Sequence, residues 1–186
     1  MAGHQGNAQV VKDALGAEDP NLRMTALGAA LRLKILDGQL LKRGLIDPAA
    51  AVRRRAAELV PRIGDDEAVD LIESLVLLLD DDSCAEVAAF ALGELGVSDT
   101  PIVSALEHQG RHHDDPLCRE SAIAALGTLG AGRTTVIAAL DDVATVRRRA
   151  VISLANFSGA EAEAAIRGAL DDRDWQVRQA AEDLLG

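Results

Sequence analysis

The chain has 186 residues with 30 acidic and 19 basic side chains, for a formal net charge of −11. That balance argues against nucleic-acid binding, which rests on neutralising phosphates, and no apolar run approaches the length of a membrane span. With no Tyr, two Phe and one Trp, and no sustained two-residue alternation, strand signals are missing as well.

Read in order, the chain is a succession of short helical patterns. Residues 7–15 (NAQVVKDAL) read as a helix at the front. Two alternating sets follow. The first set is expected near 20–31, 50–63, 83–95, 116–129, 144–157 and 174–185, and the second near 36–45, 67–79, 99–109, 133–140 and 160–170. In the second set, Val69, Ile72, Leu75, Val76 and Leu79 have the spacing of an amphipathic helix, so 67–79 is expected to be one helix with those residues inward. The amino-terminal string MAGHQGNAQ has neither a basic nor an apolar leader pattern, so a cytoplasmic protein is expected.

The first set carries a register. Ala26, Ala56, Ala88, Ala122, Ala150 and Ala181 recur at steps of 28 to 34 residues, the signature of a repeat architecture. Four residues before each alanine stands Leu22, Val52, Cys84, Cys118, Val146 or Val177, and four after it Ala30, Val60, Leu92, Leu126, Leu154 or Leu185. Those offsets share one helical face, so the alanine marks a buried contact where a methyl group admits a neighbouring helix. Cys84 and Cys118 thereby read as small core residues, not as a disulfide or half a metal site. Three before the alanine comes Arg23, Arg53, Arg119, Arg147 or Arg178, with Ala85 in the third copy. Aspartates precede every copy, at Asp19, Asp47, Asp80 to Asp82, Asp114 and Asp115, Asp141 and Asp142, and Asp171 and Asp172, where they suit helix N-caps. Gly64, Gly96, Gly130 and Gly159 follow the helices and suit left-handed stops. The arginine column could form an anion-binding stripe, but its regularity favours a structural ladder pairing with aspartates of the same or the next copy.

The strings VRRRAAELV, CRESAIAALGTLG, VRRRAVISLA and VRQAAEDLLG, each after aspartate, resemble the HEAT-repeat family, in the short bacterial form found in phycobilisome lyases. The resemblance runs from about residue 19 to 186 and implies an all-α, right-handed α-solenoid, or superhelix, of about six HEAT-like helix pairs in a single domain, 1–186. It implies an interaction surface more than a chemistry. Second helices line the concave face in such arrays, which makes Asp70, Ser74, Leu77, Ser104, Glu107 and Arg133 candidates for partner binding, and Trp175 joins them as a solitary tryptophan.

One segment departs from the register. Glu107, His108, His112, His113, Asp114 and Asp115 fall in the longest repeat step and hold three of the four histidines. His108, His112, His113 and Asp114 are weak candidates for a metal, because Gly110 is expected to interrupt the helix, so that His108 and His112 need not share a face. The metal-dependent hydroxylases of the resembled family use repeated His–Glu pairs, and no His–Glu dipeptide occurs here. The expectation is therefore a non-catalytic protein–protein interaction scaffold or adaptor, without cofactor or catalytic residues. Its partner would be another protein, with a basic helix or peptide lying along an acidic surface; neither nucleic acid, membrane nor a small-molecule ligand is expected. The alternative readings are a phycobilin-lyase-like enzyme or enzyme-maturation factor, for which the chain offers few aromatic walls, or a metal-binding HEAT protein.

Overall fold

The computed structural model describes the backbone of residues 2–186 and the side chains from residue 7 onward. Among the described residues it is all-α, with thirteen α-helices and no strand, and within each of its two units the helices pack as the repeated pairs of a helical-repeat fold. The chain divides into two compact units, Met1–Ala91 and Leu92–Gly186.

The first unit contains α1 (Ala2–Ala14), α2 (Pro20–Arg32), α3 (Gly38–Leu45), α4 (Ala50–Leu59), α5 (Asp65–Val69), α6 (Ile72–Leu77) and the first part of α7 (Ala85–Leu95). Helix α2 packs on α1 and α4, and α3 packs on α4 and α6. The second unit contains the end of α7 with α8 (Thr100–His112), α9 (Pro116–Leu129), α10 (Arg133–Ala138), α11 (Ala144–Leu154), α12 (Ala160–Gly168) and α13 (Trp175–Leu185). There α9, α11 and α13 form one series, and α8, α10 and α12 pack alongside it as the other.

All six alanines of the column are buried. Their flanking apolar positions are buried too, except at the two extremes, where Leu22 and Leu185 are exposed. The small side chain is required by what lies opposite. Gly44 of α3 is so near Ala56 that a methyl on it would meet the Ala56 Cβ at 2.8 Å. Gly110 of α8 stands in the same place relative to Ala122; its methyl would come within 3.1 Å of Ile123 and 3.7 Å of Ala122. Gly110 therefore does not interrupt α8, which runs on to His112. It is the residue that lets α8 lie against α9, and close packing outweighs the helix cost of glycine of about 1 kcal/mol.

The expected helix at 67–79 is broken in two at Asp70 and Leu71, with a 3-10 turn over Leu78–Asp80. The break shifts the inward face to Ala68, Leu71, Leu75, Leu78 and Leu79, and Val69, expected inside, is exposed. The glycines divide as well. Gly96 and Gly130 are left-handed after α7 and α9, whereas Gly64 has φ −63° and Gly159 precedes α12 as its N-cap. After α2 the left-handed residue is Lys34, and the Ile35 N–H donates to the Ala30 carbonyl across it, closing the helix as a glycine would.

The arginine column forms a ladder. The guanidinium of Arg23 clasps the carboxylate of Asp47 at 2.7 and 2.8 Å, that of Arg119 clasps Asp142 at 2.6 and 2.7 Å, and that of Arg147 clasps Asp172 at 2.7 and 2.8 Å. Arg53 donates twice to one oxygen of Asp81, at 2.7 and 2.9 Å. In each case the aspartate belongs to the following repeat. The remaining guanidinium nitrogen turns back to the carbonyls just before its own helix: Arg53 to Asp47 and Pro48, Arg147 to Asp142, and Arg178 to Asp172. Asp47, Asp142 and Asp172 thus serve twice, by side chain toward the repeat before and by carbonyl toward their own. Their carboxylates also accept a nearby backbone N–H, from Ala49, Val143 and Asp174. The capping role expected of the aspartates holds at Asp19 and Asp115; α13 is capped instead by Asp174, which the expectation did not include, and the laddered aspartates lie one or more residues upstream of the N-cap. Ala85 leaves the column without an arginine at the third copy, so the ladder has two runs, one in each unit.

Candidate functional site

The ladder absorbs the chemistry of its arginines. The paired guanidiniums hold Asp47, Asp142 and Asp172 below the usual carboxylate range. At Asp81 burial pushes upward, and the hydrogen bonds from Arg53 and its neighbours still leave the group lowered. These are the signatures of satisfied structural ion pairs. Cys84 and Cys118 are both buried thiols; burial pushes the Cys84 thiol up, and the nearby Asp81 adds to it, the opposite of a reactive nucleophile.

The second-helix candidates fall into three situations. Asp70 and Leu77 are exposed and Ser74 is half-buried, on the short helices α5 and α6. Exposed positions there recur as Asp66, Val69, Asp70, Glu73 and Leu77, with Val69 at 54% and Leu77 at 67% of full exposure. The result is a strip of apolar side chains among carboxylates. Ser104 of α8 is exposed. Glu107 and Arg133, by contrast, are stitched to neighbouring helices. Glu107 accepts a hydrogen bond from the buried Thr135 hydroxyl at 2.7 Å, and Arg111 donates to that same hydroxyl. Arg133 reaches Glu161 at 3.2 Å and the Ser158 carbonyl at 3.3 Å. Glu107 and Arg133 therefore tie α8 to α10 and α10 to α12.

Trp175 lies apart from these, as the first residue of α13 on the opposite helix series, with 64% of its surface exposed. With Arg148, Ile152, Gln176, Gln179, Ala180, Asp183 and Leu184 it lines a groove of about 220 Å³ between α11 and α13. A second groove, of about 470 Å³ between α2 and α4, is bordered by Arg32, Arg54, Arg55 and Glu58. Its cations are largely answered within the chain, by Glu86 for Arg54 and Glu58 for Arg55. The sequence pointed to the first groove only through Trp175, and the triple arginine at 53–55 was the signal for the second.

In the histidine-rich segment, His108 and His112 are exposed on the last turn of α8, and their ring centroids are 4.9 Å apart. They share a face, on a helix that Gly110 does not interrupt as expected. His113 has left the helix, and its Nδ1 accepts the Asp115 N–H at 3.0 Å while Asp115 caps α9. Among the described residues no three His, Cys, Asp or Glu side chains converge to hold a metal, and none of the helices is long and apolar enough to cross a membrane.

Residues 146–172 match the family model of the PBS lyase HEAT-like repeat. No curated protein is matched by the whole sequence at a significant level. Among solved structures, an engineered protein is 20% identical with a TM-score of 0.65, over 96% of this chain and 96% of that one. The complex of CpcE and CpcF of phycocyanin lyase from Nostoc sp. PCC7120 is 20% identical with a TM-score of 0.66, over 96% of this chain and 75% of that one. Human deoxyhypusine hydroxylase is 18% identical with a TM-score of 0.46, over 96% of this chain and 83% of that one. For the engineered protein and the CpcE–CpcF complex, the likeness at these identities is one of fold.

Proposed function

We propose that this HEAT-repeat chain is a non-catalytic scaffold that holds another protein against its helices. The observation that carries this reading is the exposed strip on α5 and α6, where Val69 and Leu77 stand in solvent beside Asp66, Asp70 and Glu73. Large apolar side chains held outward beside charge are the composition of a docking surface: the apolar groups supply affinity and the carboxylates select the partner. The partner that fits is a helix or extended peptide carrying basic residues, drawn in by a net charge of −11. The Trp175 groove offers a second docking place of similar make-up, an indole and aliphatic side chains within a polar rim. A neighbour of the same fold, the CpcE and CpcF assembly, is itself a complex of protein components, in keeping with a protein as the partner here.

The test is affinity capture from the native cell by the full chain, compared with Leu77→Ser, Asp70→Lys and Trp175→Ala. All three positions are exposed, so helicity and melting stay unchanged while capture of basic partners falls for the first two. Partners retained unchanged by Leu77→Ser and Asp70→Lys would overturn the docking strip.

A further inference from the structure

We infer that His108 and His112 form a two-imidazole chelate for a divalent transition-metal ion on the last turn of α8. Residues four apart on a helix lie one above the other, and histidines at this spacing supply two ligands from one helical face. The separation can be checked against coordination geometry. A metal–imidazole nitrogen bond is about 2.0–2.1 Å, which places each ring centroid about 3.2 Å from the ion. Two such ligands meeting at about 90–110° would have centroids about 4.5–5.2 Å apart, spanning square-planar to tetrahedral sites. The observed 4.9 Å lies inside that window.

The helix is uninterrupted here because Gly110 packs on Ile123 and Ala122, so the backbone carrying both histidines is anchored. Both rings are exposed, and an ion could reach them from solvent. No third protein ligand converges on them among the described residues, so water, or a side chain of a bound partner, fills the other coordination positions. Among common divalent ions, copper(II) binds imidazole pairs most tightly and zinc more weakly. Occupation would clamp the end of α8 immediately before the turn from His113 to Asp115 that caps α9. Binding of an ion to the folded helix alone raises stability by mass action.

The test titrates copper(II) into the full-length protein carrying His4→Ala, which leaves three histidines. Calorimetry is expected to give one ion per chain, electron paramagnetic resonance two imidazole nitrogens, and thermal denaturation a raised midpoint. His108→Gln and His112→Gln each lower the affinity by about tenfold or more and shrink the rise in midpoint accordingly, while His113→Gln leaves both in place. Helicity of each variant without metal verifies folding. The proposal fails if no copper binds, if a single nitrogen is found, or if His108→Gln and His112→Gln bind as the parent does.

Discussion

Arg147 offers a direct measure of what the ladder contributes. Its side chain is 5% exposed and makes three charge-assisted hydrogen bonds, two to Asp172 and one to the Asp142 carbonyl. Replacing it by alanine strands the Asp172 carboxylate, which keeps only its bond from the Asp174 N–H, and leaves the Asp142 carbonyl without its donor. Breaking a fully buried ion pair costs about 3–5 kcal/mol. Asp172 retains some contact with solvent, which lowers that figure, and the expected loss is about 2–4 kcal/mol. Urea denaturation followed by circular dichroism should show a lower midpoint at unchanged slope. Arg148, the next residue in the same helix, is exposed, and Arg148→Ala should stay within about 0.5 kcal/mol of the parent. Arg147→Lys keeps the charge but loses the planar fork and should fall between the two. Equal stability of Arg147→Ala and Arg148→Ala would refute the ladder as a structural device.

The remaining expectations concern packing, acid and the ladder as a whole. Gly110→Leu adds a side chain against Ile123 and Ala122 and should destabilise by about 1–3 kcal/mol or more, whereas Gly168→Ala, with open space at its Cβ, should be neutral or slightly stabilising; reversal of that order in thermal melts would contradict the close approach of α8 and α9. Asp47, Asp81, Asp142 and Asp172 are all lowered in the folded protein. Their contribution is complete above the unfolded carboxylate value of about 3.9 and is lost as the pH falls below it through the folded values. Denaturation midpoints should therefore be insensitive to these groups between about pH 5 and 7 and drop under about pH 4. The pair replacement Arg147→Met with Asp172→Leu should make that acid drop shallower; an unchanged drop would separate acid sensitivity from this rung.

The repeat was legible in the sequence because its cause is local and recurrent. Wherever two helices cross closely, one residue has to be small, so the alanines mark each crossing. The arginine and aspartate columns were legible for the same reason, although whether each arginine pairs within its own copy or with the next was settled only by the packing. Gly110 was misread because its intrinsic helix cost was visible while its neighbours, Ile123 and Ala122, were not. The continuous helix expected over 67–79 rested on apolar spacing alone, and nothing in that spacing reveals the break at Asp70 and Leu71 that turns Val69 outward. For Glu107 and Arg133, sequence could show polar side chains on second helices. Their partners, Thr135 and Glu161, are 28 residues further along in both cases, and only the packing brings them together. The exposure of Trp175 belongs to the same class, since it depends on how α13 meets α11.

The doubled use of the laddered aspartates gives each repeat a plug and a socket. The arginine is the plug, and the aspartate before the next helix is the socket, held in shape by that helix's own arginine. Fit is then decided between immediate neighbours, with no reference to position in the array. A repeat could be duplicated, deleted or exchanged and still find a compatible joint on either side, so long as it brings one aspartate and one arginine in register. Ala85 shows the same grammar in reverse: by omitting the plug at one copy, the chain divides its joints into two separate runs.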